Sequence, residues 1–242
     1  MTRNLAKYSL WQFRDFVLER GIAIVLIGCL WSYVTFEPMR RAMGAQWRGD
    51  QTSPVWAIAL QVSAALVSLS VLIAMNGIVS TNRKSGYYRF LFSKPISPVV
   101  YYAQLFVVYM AGVLVAMLIL SGVLRTIFPA LSVRNFLLYA AIIYVAMGGI
   151  GFFLSVATRY DWLTLAVVWL GSRILRDVFG AGTGWRSKAV ELLPPVHKLD
   201  GLAGSLIGNG TANTSDVVWL LGYGLLFFVV GLAIIRYGSL AD

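Results

Sequence analysis

Blocks of uninterrupted apolar sequence recur along this chain, parted only by short polar or charged runs. A hydrocarbon layer about 30 Å thick takes roughly 20 apolar residues of α-helix to cross, and several blocks reach that length. Inside such a layer every backbone N–H and C=O must be satisfied within the segment, which an α-helix does. Composition agrees. The chain has 242 residues, of which 59% are hydrophobic and 12% charged, about half the charged share of an ordinary soluble domain. Mean hydropathy is +0.75. The expected fold is all-α: one polytopic membrane domain over residues 1–242, with no hydrophilic insertion large enough for a second folded unit and no internal repeat.

Six spans are expected: Gly21 to Phe36, Pro54 to Val79, Val99 to Leu124, Phe136 to Ala157, Trp162 to Leu175 and Val217 to Ile235. Residues 1–20 read as an interfacial helix, with Leu5, Tyr8, Trp11 and Phe16 near one face and Lys7, Arg14 and Glu19 away from it. Aromatic anchors with basic residues favour the headgroup plane. This start lacks the charged stub, apolar run and small-residue cleavage site of a signal peptide. Residues 180–216 read as short extracytoplasmic helices dipping into the membrane. Gly148, Gly149 and Gly151 in the fourth span permit close helix contact.

A net charge of +10 would suggest nucleic acid in a soluble protein. Here the cations sit between apolar blocks, where they meet lipid headgroups, and no basic face remains for nucleic acid. An even number of spans puts both termini on one side. With the N-terminus inside, ten Lys and Arg fall inside and ten outside, so charge counting leaves orientation undecided. The acid-free basic run at residues 80–95 favours the cytoplasm for that loop.

Little in the chain supports chemistry of its own. There is no phosphate-binding loop with its lysine; Gly180-Ala-Gly-Thr-Gly184 lacks that lysine and a preceding strand. One His and one Cys cannot build the usual zinc constellation. Cys29 reads as a small buried hydrophobe, His197 as a solvated or locally bonded loop residue, and Asp161 as a helix cap. No cofactor, metal or catalytic residue is expected in this chain. The two Asn-x-Ser/Thr triplets, at Asn209 and Asn213, matter only in a glycosylating source.

Polar groups inside spans are more informative. In the second span Gln61 and Ser68 are seven residues apart, as are Ser63, Ser70 and Gly77, with Asn76 near the end. Seven residues is close to two helical turns. Such a track can bond within the bundle or line a transport path. Arg173, Arg176 and Asp177 crowd the end of the fifth span; Arg173 and Asp177 are spaced for a local ion pair or for a polar gate at the outer mouth.

The run Ser80-Thr-Asn-Arg-Lys-Ser-Gly-Tyr-Tyr-Arg-Phe-Leu-Phe-Ser-Lys-Pro95 interleaves aromatics with cations. It suits interfacial anchoring, or a helix that inserts aromatic tips into a groove of a soluble partner. Extended through Ile96-Ser-Pro-Val-Val-Tyr-Tyr102, it resembles the cytoplasmic loop of permeases in the type-2 ABC exporter superfamily, with Gly86, Phe90, Leu91, Pro95, Ile96, Ser97 and Tyr102 in the family's frame. Leu193-Pro-Pro-Val-His-Lys-Leu, with Gly208 and Asp216 ahead of the last span, is similar to the family's extracytoplasmic elements. The order of these features covers nearly the whole chain. Family members commonly carry Glu near position 82 and Lys near position 104, where this chain has Asn82 and Gln104.

The resemblance implies an ABC transporter permease that dimerises with a second copy or a homologue. Each half would recruit an ATP-binding cassette subunit, which carries ATP and Mg, to a coupling helix. The partner-coupling residues would be Asn82, Arg83, Lys84, Gly86, Tyr87, Phe90, Leu91 and Pro95, and the substrate pathway Gln61, Ser68, Asn76, Arg173 and Asp177. The expected location is a cell membrane, of the bacterial inner or plasma type. Two other classes remain open: a self-sufficient secondary transporter or intramembrane enzyme, and a non-transporting assembly or immunity factor.

Overall fold

The computed structural model describes residues 2–44, 54–80, 97–158, 161–180, 185, 194 and 196–237. Every extended regular element among them is helical. Five helices are long and apolar enough to cross a membrane: Lys7–Met43, Val55–Met75, Pro98–Ile127, Val133–Ala157 and Thr214–Tyr237. The chain is a multi-pass helical membrane protein.

The expected first span, Gly21 to Phe36, is short for a crossing and needs part of the preceding helix; the structure goes further. Helix α1 (Thr2–Phe16) does not end before the first span; a π-helical turn, Val17–Gly21, joins it to α2 (Ile22–Met43) in one run. The backbone N–H of Ile22 donates to the carbonyl of Val17, five residues back, which is the signature of the wider π turn. Helix α2 also outlasts its predicted end at Phe36 and carries Pro38 inside it. Within that extension Glu37 pairs with Arg40 at 3.0 Å and Arg41 at 2.9 Å, both one helical turn away.

The other helices start and stop for local reasons. Helix α3 (Pro54–Met75) ends at Asn76-Gly77, where Gly77 adopts φ 71°, a left-handed exit that costs glycine little. Helix α4 (Pro98–Ile127) begins with proline at its first position, after an extended Ser97. Helix α5 (Val133–Ala157) is capped by Ser132, whose hydroxyl accepts from the N–H of Asn135. Helix α6 (Asp161–Phe179) is expected as the fifth span but falls outside the five long apolar helices. Arg173, Arg176 and Asp177 in its last turns dilute its hydropathy. Region 180–216 holds a short helix α7 (Val196–Leu202) continued by a π turn, Ala203–Asn209. Helix α8 (Thr214–Tyr237) closes the chain.

Helix α5 is the axis of the bundle. It packs against α3, α4, α6, α8 and the Ala203–Asn209 turn, and most extensively against α8. About two thirds of its apolar stretch is buried, against about a fifth for α8. The α5–α8 crossing is built on glycine. A Cβ added to Gly149 would run into the backbone carbonyl of Gly224, and one added to Gly224 would run into that of Val145. Backbones approach this closely only where small residues meet. Further along, Phe228 of α8 lies 4.2 Å from Phe106 and 5.0 Å from Phe152, centroid to centroid. The hydroxyl of Tyr144, wholly buried, donates to the carbonyl of Phe106 at 2.8 Å.

Outward faces carry the residues that lipid tolerates. Leu26, Leu30, Tyr33 and Val34 of α2 and Leu226 and Val229 of α8 are all exposed by more than half. In water such continuous apolar faces would demand a partner.

Candidate functional site: a polar groove along α3

Ala57, Gln61, Ala64, Ala65, Ser68 and Leu72 recur along α3 at helical spacing and form one side of an open groove. The opposite wall comprises Tyr139 of α5, Leu199 of α7, and Ala203 and Gly204 of the following turn. The groove encloses about 770 Å³, within the range of small-molecule sites. Small side chains on α3 leave the space, and the absence of bulk beyond Cβ at positions 57, 64 and 65 keeps it open.

The polar track divides in two. Gln61 and Ser68 both line the groove, as their spacing predicts; Gln61 is exposed to it. Ser63 and Ser70 lie on the buried side, and the Ser70 hydroxyl donates to the carbonyl of Leu66 in its own helix at 2.6 Å. That is the back-bonding typical of serine within apolar helices. Asn76 is exposed beyond the end of α3 and does not line the groove. Asp177 is exposed near the end of α6 and also lies off the groove, while the side chain of Arg173 falls outside the described residues. Among the described lining residues the groove presents an amide, two hydroxyls and many methyl groups, with no ionisable acid or base other than the Tyr139 phenol. Such a surface can hold a ligand by hydrogen bonds and apolar contact, but it offers no general acid–base pair. Among the described residues no three His, Cys, Asp or Glu side chains gather to hold a metal ion.

The expected coupling residues Asn82, Arg83, Lys84, Gly86, Tyr87, Phe90, Leu91 and Pro95 lie outside the described residues. The two places where that segment leaves and re-enters the bundle are described, and both are held. After α3 the chain turns at Gly77, the N–H of Val79 donates to the Ser155 hydroxyl of α5 at 3.2 Å, and Ser80 is buried. Arg20, in the π turn, donates from its guanidinium to the carbonyl of Ala74 at the end of α3. On the re-entry side the Gln104 amide of α4 donates to the Ser9 hydroxyl of α1 at 2.8 Å.

Sequence reasoning does not find Tyr139, Arg20 or Ser155, because their roles depend on contacts between distant helices. Asp216, flagged by position ahead of the last helix, pairs with Lys198 of α7 at 2.6 Å, and the Lys198 ammonium lies 5.9 Å from the Trp219 ring centre. This ties α7 to the first turn of α8.

No family model, no curated protein and no solved structure matches the chain.

Proposed function

We propose that this chain is the permease subunit of an ATP-binding cassette exporter of the type-2 class, moving a substrate across a cell membrane while a separate subunit hydrolyses ATP with Mg. The observation that carries the reading is the groove on α3. It is open, large enough for a ligand, and lined by Gln61 and Ser68 within an otherwise apolar helix. Polar groups placed in a membrane helix and turned toward a cavity tend to mark a pathway.

The acid-free basic segment between α3 and α4 supplies the other half of the argument. It joins the groove helix to the next span, so a force on it acts directly on α3. In this reading α6 is the fifth of six spans, α7 with its π turn dips into the membrane from the far side, and the N-terminal helix lies at the cytoplasmic interface. A second permease copy or homologue completes the pathway.

The test is affinity purification of the tagged protein in mild detergent, with mass spectrometry and an ATPase assay. Co-purification of a nucleotide-binding subunit, reduced by Gly86→Trp or Phe90→Asp, is the expected result. Recovery of a lone protein without ATPase activity from a gently solubilised native source would overturn the reading.

A further inference from the structure

The N-terminal helix touches both roots of the 81–96 segment, and it does so with polar side chains. Arg20 reaches across from the π turn to the carbonyl of Ala74, in the last turn of α3. The last carbonyls of a helix have no intrahelical donor and carry the negative end of its dipole, so a guanidinium there meets both a free acceptor and favourable charge. The same guanidinium lies 4.9 Å from the centre of the Tyr109 ring of α4, a cation–π distance. Phe16, one turn earlier and almost wholly buried, packs 5.0 Å from that ring and sits over Gly112. Eleven positions before Arg20, Ser9 accepts from Gln104 in the second turn of α4.

We infer that Arg20 is a positioning residue that locks the exit of α3 to α4, making the N-terminal helix a strap across both roots of the basic segment. Phe16 and Arg20, four residues apart, share one face of the helix, and both turn toward α4, the ring to Gly112 and the guanidinium over Tyr109. The consequence, which alone rests on the permease reading, is that a push on the segment moves α3 and α4 together with the N-terminal helix rather than bending α3 at Gly77.

The test is hydrogen exchange of the full-length protein in lipid nanodiscs, which needs neither substrate nor ATPase. Arg20→Ala is expected to speed exchange of the amides at 76–80 about tenfold, the scale of losing one charge-assisted hydrogen bond. Exchange in Val145–Gly151, at the glycine crossing, is expected to stay unchanged. Arg20→Lys, which keeps a cationic donor, is expected to recover most of the protection. Unchanged exchange at 76–80 in Arg20→Ala, or equal loss at the glycine crossing, would overturn the inference. If Arg20→Ala cannot be purified, Gln104→Leu tests the other end of the strap. Faster exchange over Val99–Gln104 supports it, and wild-type exchange there counts against it. A protein lacking any ATPase partner would sink the permease reading while leaving these exchange results standing.

Discussion

The two sides of α5 are built in opposite ways. Toward α8 the helices meet backbone to backbone, with Gly149 against the Gly224 carbonyl and no side chain between them. Toward α3 the contact is made by side chains, and beside it the groove stays open between α3, Tyr139 and the Ala203–Asn209 turn. One helix thus carries a backbone-to-backbone seam and part of the wall of an open groove. Filling space should therefore have opposite consequences on the two sides.

The largest effect is expected at the seam. Gly149→Leu forces a side chain into the α8 backbone, which no rotamer can relieve, and overpacking of this kind costs about 1–3 kcal/mol or more. Most of the protein should be lost from the monodisperse peak in fluorescence-detected size exclusion. A variant that behaves as wild type would show that the crossing is looser than described. In the groove, Ala65→Trp should leave thermal stability within about 0.5 kcal/mol, the usual range for exposed sites. With the proposed ATPase partner present, the same change should reduce transport by an order of magnitude. A drop in stability comparable to Gly149→Leu would erase the contrast between the two sides.

Two smaller substitutions sharpen it. Tyr144→Phe removes the buried hydroxyl that bonds the Phe106 carbonyl beside the seam, and should lower stability by about 1 kcal/mol in reversible unfolding in mixed micelles. Ser70→Ala removes only a bond to its own helix, so a change of about 0.5 kcal/mol or less is expected. If Ser70→Ala costs more than Tyr144→Phe, the buried face of α3 is held more firmly than its serine geometry implies.

Much of this architecture is legible in the chain. Long apolar blocks announce the five helices, and Pro54 marks where one begins; the expected second span runs on to Val79, whereas the helix ends at Met75 because Gly77 takes a left-handed turn that the apolar run around it conceals. Half of the seam is legible too, since glycines at 148, 149 and 151 invite a close neighbour. Gly224 as that neighbour is not, because Gly222 and Gly231 are equally small and only the three-dimensional crossing selects among them. The groove shows the same division. Spacing puts Gln61 and Ser68 on one face, yet nothing local distinguishes that face from the one bearing Ser63 and Ser70, where the hydroxyls turn inward. The continuity of α1 and α2 is partly legible, since a first span of Gly21 to Phe36 is too short to cross without the helix before it; that Arg20 finds its acceptor on α3 is not, because that contact joins distant helices.

Where α5 and α8 touch through bare backbone, at Gly149 and Gly224, the contact has no side-chain rotamers to exchange, and so no second way of fitting together at small cost. The α5–α8 pair behaves mechanically as a keel: it can tilt or translate as a unit, but the two members cannot slide past one another without first separating. Any widening of the groove must therefore be taken up by α3 and by the short elements facing it. The slack of the molecule lies on the groove side of α5, and a ligand entering the groove would be met there by the elements free to shift.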